Sequence, residues 1–382
     1  MRPFWRAALF LTPLAIVFGT PELVLWLGGE LTNPDTVVRR QATDRQLVLH
    51  GPAYTNSAPY VKKHGLLALQ APQVVALGNS RVLQFRREFF RPDVSFYNSG
   101  SAAVRLLHFR AFLESLPPEE LPETLLIATD TGYFNTKFDQ LDKDGLNVTW
   151  MLNQIAHNPT APEVFLQSWW TVWKDIAAGK IKWARLFSFD GLRNRVGLTA
   201  LCAGAGYRND GSYQYGTRDL EITNPQHSDY HFAKTLGHIA AGEGRFPWGD
   251  TPSAPALKET DALLDFCAAH HVYVIGFLPP HAHAVWMAMQ GLGERYAYIP
   301  KLERELRARF ESRGFEFYDF SDFATLGAPD TEAVDGYHGN ERVYLRLVIT
   351  MLERGSHLNA YADLPELRVK LAAGNPAQFQ DN

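Results

Sequence analysis

Cysteine is scarce in this chain: its 382 residues hold two, Cys202 and Cys267. Two thiolates cannot build a structural zinc cluster, which draws on more ligands. A disulfide in an oxidising compartment and two separate apolar thiols both stay open, because spacing does not fix the distance a disulfide needs. Dense basic stretches are lacking too. The formal charge is -4 and mixed in sign, which argues against phosphate-backbone binding and removes nucleic acid from the expected partners. No Gly-rich phosphate loop and no long repeat is visible, so no cofactor is expected and a solenoid is excluded.

What is present is apolar: 46% of the residues are hydrophobic, enough for a sizeable core in one large domain or two ordinary ones. At the N-terminus Arg2 and Arg6 precede a run from Ala7 to Thr20 (AALFLTPLAIVFGT), which resumes after Pro21-Glu22 as LVLWLGG. That length suits a bilayer crossing of roughly 20 residues. Arginines before it, with Glu30 and Asp35 after it, orient the N-terminus to the cytoplasm and the rest outside. Without a clean small-x-small cleavage site, an uncleaved single-pass anchor in the inner membrane over residues 1–30 is expected, with a periplasmic domain. Pro13 and Glu22 count against it, and a buried helix of a soluble protein is the alternative. Residues 31–70 are polar and irregular and read as a stalk and lead-in.

Regular patterning then begins. Gln73–Leu77, Val94–Tyr97, Thr124–Ala128, Val272–Leu278 and Phe315–Phe320 read as strands. Helical spacing covers Ala102–Leu116, Ala256–His270, Tyr298–Arg313 and Glu341–Glu353. Nearly all-apolar strands alternating with helices predict a parallel sheet covered on both faces. The expected fold is therefore α/β over residues 71–360: a doubly wound, flavodoxin-like, parallel five-stranded sheet, with a tail at 361–382. Such sheets bind ligands beyond the carboxyl ends of their strands. Between 136 and 255 the alternation breaks into a large helical, aromatic-rich insertion with Trp150, Trp169, Trp170, Trp173, Trp183 and Trp248. Capping the site, binding sugar rings and lying against the membrane are all open to it. Base rates make most of these tryptophans core residues.

Two loops carry the chemistry. In Gly78-Asn79-Ser80-Arg81 the serine falls where strand becomes helix, its hydroxyl exposed and its N–H aimed at developing negative charge; a plain helix N-cap is the competing role. In Asp335-Gly336-Tyr337-His338 a carboxylate and an imidazole three residues apart can share one cleft, the histidine taking a serine proton and the aspartate orienting it. Here the competing role is a polar loop capping the last helix.

In this order the two loops resemble the blocks of the SGNH (GDSL-type) hydrolase superfamily. Gly78-Asn79-Ser80 matches the first block, with Asn79 where the family carries aspartate, and Asp335-Gly336-Tyr337-His338 matches the last. Gly100, in Tyr97-Asn98-Ser99-Gly100, matches the second-block glycine. The third block is replaced by Ala128-Thr129-Asp130-Thr131-Gly132-Tyr133-Phe134-Asn135. The resemblance implies Ser80 as nucleophile, His338 as general base and Asp335 as its orienter. It implies an oxyanion hole from the Ser80 and Gly100 N–H groups, with Asn135 as third candidate. Asn79, Arg81, Asp130 and His281 are weaker candidates to line the substrate pocket. Anchor plus domain is similar in plan to the membrane-anchored proteins of D-alanyl-lipoteichoic acid assembly and alginate-type O-acetylation. That plan implies a serine esterase or O-acyltransferase acting on acyl esters of cell-envelope polysaccharide. Its expected partners are an acylated glycan or lipid-linked polymer, the membrane and a membrane-bound acyltransferase. A catalytically silent glycan-binding or scaffold protein is the second reading. A metal-dependent esterase or deacetylase using His281, His283, Asp335 and His338 is the third, and the leading reading takes no metal.

Overall fold

Each of the five apolar runs becomes a strand. The computed structural model describes residues 2–138, 147–216 and 221–373. The strands are β1 (Val74–Leu77), β2 (Phe96–Asn98), β3 (Thr124–Ala128), β4 (Tyr273–Leu278) and β5 (Glu316–Asp319), all parallel, in the order β2-β1-β3-β4-β5. This is the flavodoxin-like doubly wound order. Alternate residues feed opposite faces. Val74, Ala76, Leu126, Ala128, Ile275 and Phe277 join one buried cluster with helix Glu341–Glu353, through Val343, Leu347 and Met351. Val75, Leu77, Leu125, Ile127, Val274 and Leu278 join the other, beneath helices Leu106–Glu114, Ala254–Ala269 and Tyr298–Glu311. The sheet is buried on both sides, as continuous apolar runs require.

Most expected boundaries move by a residue or two, and two of the shifts bear on the site. The second strand starts at Phe96 rather than Val94, which brings Asn98 into it; the Asn98 amide donates to the Val82 and Phe85 carbonyls at 2.7 and 2.9 Å. The helix expected from Ala102 starts at Leu106, after a turn in which Ser101 holds φ 68°.

Residues 31–70 are not a stalk. They form helices Pro34–Thr43 and Ala58–Leu67 and a short strand, Leu49–His50. That strand pairs parallel with Arg195–Val196 and antiparallel with Gly206–Tyr207, which pairs with Tyr213–Gln214, making a second, four-stranded sheet. Three of this sheet's four strands come from the insertion, and each is two residues long, so no local periodicity announces it. Lys62 is buried and donates to the carbonyls of Asn98, at 2.7 Å, and Gly211. The expected tail is folded as far as it is described: helix Leu364–Ala372 buries Leu367 and sends Lys370 Nζ to the Glu88 carbonyl, 2.7 Å away. Residues 374–382 lie outside the described residues.

Helix Arg2–Leu27 contains the apolar segment Phe10–Leu27, of mean hydropathy 1.7 and 22% buried. Among the described residues it is the one helix long and apolar enough to cross a membrane. Pro21 has no N–H to give the Val17 carbonyl, and Trp169 Nε1 and Trp173 Nε1 donate to it instead, both at 2.9 Å. Glu30, expected as a flanking surface charge, is instead buried, accepting from the N–H groups of Leu198 (2.7 Å) and Ala53 (2.8 Å). Burial raises its pKa, and these bonds work the other way. Both cysteines are free, Cys267 within the core.

Candidate active site

Asn79, not Ser80, caps the turn after β1: its Oδ1 accepts from Arg81 N at 2.8 Å. The Ser80 hydroxyl is thereby released from capping, and it lies 2.7 Å from His338 Nε2. On the far side of the ring, His338 Nδ1 lies 2.8 and 2.9 Å from the two Asp335 oxygens. Asn340 caps the last helix, accepting from Arg342 N and Val343 N, so the Asp335–His338 turn carries no capping duty either. The turn is closed by Val334 N donating to the His338 carbonyl at 2.8 Å. A serine, an imidazole and a carboxylate are thus in line, each within hydrogen-bond reach of the next.

Asp335 is tuned for this line. Burial favours its neutral form, yet the His338 bond and charge, with the Tyr337 and His338 N–H groups, hold its pKa well below the usual carboxylate range. An ionised Asp335 fixes the proton on Nδ1 and leaves Nε2 free to accept from Ser80.

The groups expected around this line are brought near it, but for other work. Asp130 is buried; it accepts from the Tyr337 hydroxyl, from Asn79 Nδ2 at 3.3 Å and from Gly132 N at 3.0 Å. Arg81, expected to line the pocket, is buried, 1% exposed. Its guanidinium donates to the Pro280 carbonyl at 2.8 Å and sits 4.3 Å from the Tyr337 ring centre. His281 is buried beside it, 3.4 Å from Arg81 Nη1. Burial first, then the Arg81 and His338 charges, push the His281 pKa well below the ordinary histidine value. Asn79, Arg81, Asp130 and His281 therefore support the loops and do not line the cleft.

Two of the three expected oxyanion donors are already committed. Gly100 N donates to Asn98 Oδ1 at 2.9 Å. Asn135 Nδ2 donates to the Pro247 carbonyl at 2.9 Å, and its Oδ1 accepts from Lys137 N at 2.9 Å. Asn135 anchors the end of the insertion. Among the described residues, the Ser80 N–H keeps no protein acceptor. The metal arrangement is not assembled: His283 is directed to Asp322, 3.0 Å from both of its oxygens. Among the described residues no three His, Cys, Asp or Glu side chains form a metal-holding group.

Ser80 and His338 open into a cleft of about 730 Å³, the size of a small-ligand site. Much of its wall comes from the insertion, including Tyr207, Tyr213, Tyr215, Lys234, Arg245 and Phe246. The insertion also supplies Asp229, a residue no sequence motif marks. Buried, it accepts from Gly336 N and Thr235 Oγ1, both at 2.9 Å, and so clamps the Asp335–His338 turn. Comparison with family models, curated proteins and solved structures finds no match to this chain.

Proposed function

We propose that the chain is a membrane-anchored, extracytoplasmic serine esterase or O-acyltransferase of SGNH type, acting on acyl esters of cell-envelope polysaccharide. The observation that carries this reading is the Ser80–His338–Asp335 line, with its 2.7 and 2.8 Å links, beyond the carboxyl ends of a parallel sheet. The β2-β1-β3-β4-β5 order agrees with the block resemblance. Ser80 Oγ attacks the ester carbonyl while His338 Nε2 takes its proton; the Ser80 N–H faces the oxyanion. His338 returns the proton to the departing alcohol oxygen as the C–O bond breaks, leaving the acyl group on Ser80. Water, or a hydroxyl of the acceptor glycan, gives its proton to His338 and attacks the acyl carbon; the acyl C–Oγ bond breaks and His338 returns the proton to Ser80 Oγ. The three tyrosines of the cleft wall offer faces for sugar rings.

A second reading, a silent glycan-binding or scaffold domain, is favoured by the prior commitment of the Gly100 N–H and the Asn135 amide. Fluorophosphonate labelling of wild type, Ser80→Ala and His338→Ala decides between them. Labelling lost in both variants supports the enzyme. A wild type that is folded yet does not label supports the silent domain.

A further inference from the structure

Five large apolar side chains stand uncovered beside the N-terminal helix. Leu166 (77% exposed) and Trp170 (59%) project from helix Ala161–Ala177, and Trp183 (41%), Phe187 (57%) and Phe189 (46%) from the segment that follows. Both elements are rooted in one cluster at the base of the N-terminal helix, where Val172 and Leu186 meet Val24 and Leu27. A grouped apolar surface of this kind marks a contact face, unlike scattered single residues.

We propose that this face lies in the outer headgroup layer of a membrane rich in anionic lipid, so that the folded domain is laid on the bilayer rather than hung from it. The inference rests on the anchor in the function proposed above and adds the orientation of the domain. Its first support is depth. Glu22 is exposed, and a charge of this kind belongs at or beyond the membrane boundary. Between Arg6 and Glu22 the uncharged run Ala7–Pro21 supplies about 22 Å of helix at about 1.5 Å per residue, so the crossing is a short one and Glu22 marks its outer end. Val17 then lies about 7 Å inside that boundary, at about 1.5 Å of rise per residue. Its carbonyl is the one held by Trp169 and Trp173, and Phe18 stacks on Trp169 with ring centres 5.6 Å apart. A helix bonded to the anchor at that depth cannot stand clear of the membrane, so Ala161–Ala177 enters the interfacial layer, where tryptophan side chains are favoured.

The second support is charge. Lys174, Lys180, Lys182, Arg185 and Arg193 face only Asp175 and Asp190 between positions 174 and 193, in a chain whose formal charge is -4. Basic residues interleaved with Trp, Phe and Leu are what an anionic interface attracts.

The test uses the full-length chain in nanodiscs of phosphatidylcholine and phosphatidylglycerol. Cys202 is replaced by serine, the buried Cys267 is kept, and single spin labels are placed at Leu14→Cys, Leu166→Cys, Phe187→Cys and Val369→Cys. Relaxation by lipid-soluble oxygen is compared with relaxation by a water-soluble nickel chelate. Oxygen should dominate at 14, 166 and 187, and nickel at 369, where the side chain is 69% exposed on a helix packed against helix Glu341–Glu353. Oxygen dominance at 14 with nickel dominance at 166 and 187 would overturn the docked face and leave the anchor standing. Labels at 166 and 187 shielded from both reagents would overturn it in favour of a protein partner. Nickel dominance at 14 would remove the anchor and this inference with it.

Discussion

Tyr337 donates its hydroxyl proton to the Asp130 carboxylate, joining the loop after β3 to the turn that holds Asp335 and His338. The phenol ring is flanked by two guanidinium groups, Arg81 at 4.3 Å and Arg245 at 4.6 Å from its centre. Asp130 also takes Asn79 Nδ2 at 3.3 Å, so one carboxylate ties the serine loop and the histidine loop together. Tyr337→Phe should lower the fluorophosphonate labelling rate by about tenfold and cost about 1–3 kcal/mol of stability, since a buried acceptor loses a donor. An unchanged rate in a destabilised variant would confine the bond to a structural role.

Asp335→Asn should leave the fold intact and reduce turnover by about 10³–10⁴-fold, because an amide does not hold His338 in the tautomer that accepts from Ser80. Ester turnover and circular dichroism on the same sample check both halves. Turnover near wild type would remove Asp335 from the relay.

Gly336 has no room for a side chain. A Cβ there would meet Thr235 Oγ1 at 1.9 Å, within the clamp that Asp229 makes on the turn. Gly336→Ala should cost about 1–3 kcal/mol, read by urea denaturation, with labelling of Ser80 slowed. A variant as stable and as reactive as wild type would show that the clamp does not position the turn.

Stability should fall as the medium is acidified below about pH 6.5. Burial pushes the His50 pKa down to about 4, so between those values the unfolded chain binds a proton that the folded chain refuses. The contribution is fully present above the unfolded pKa and disappears as pH falls toward the folded one, worth about 3 kcal/mol at the limit. His281 acts in the same direction. Denaturant midpoints measured from pH 7 to pH 4 should drop less steeply in His50→Gln; equal slopes would exclude His50 as a source. Asp335 works in a lower window, since its depressed pKa stabilises the fold above about pH 4 and that contribution is lost below it.

A reporter fused after the C-terminus should read as extracytoplasmic in cells. A cytoplasmic readout would reverse the orientation inferred from Arg2 and Arg6, leaving the cleft geometry untouched.

Sequence alone determined the parallel sheet and singled out Ser80, Asp335 and His338, which the fold brings within hydrogen-bond reach of one another. A strand buried on both faces must be nearly all apolar, so β1, β3 and β4 were legible as runs, while the edge strand β5 showed only its Phe317-Tyr318 centre; Ser80, Asp335 and His338 were singled out by loop position and side-chain chemistry. Tertiary structure decided what those loops lean on. Asp130, Arg81 and His281 look like pocket residues because they are polar and sit at strand ends. Only the fold brings Tyr337 and Asn79 to Asp130, residues separated from it by 207 and 51 positions, and turns these side chains inward. The same holds for residues 31–70. Three of their buried apolar side chains, Val37, Val48 and Val61, form one cluster with Val196, which the insertion supplies. Local pattern records which residues must avoid water, whereas long-range pairing fixes which distant donor meets which acceptor, and that second level commits the Asn135 amide to the Pro247 carbonyl, 112 positions away.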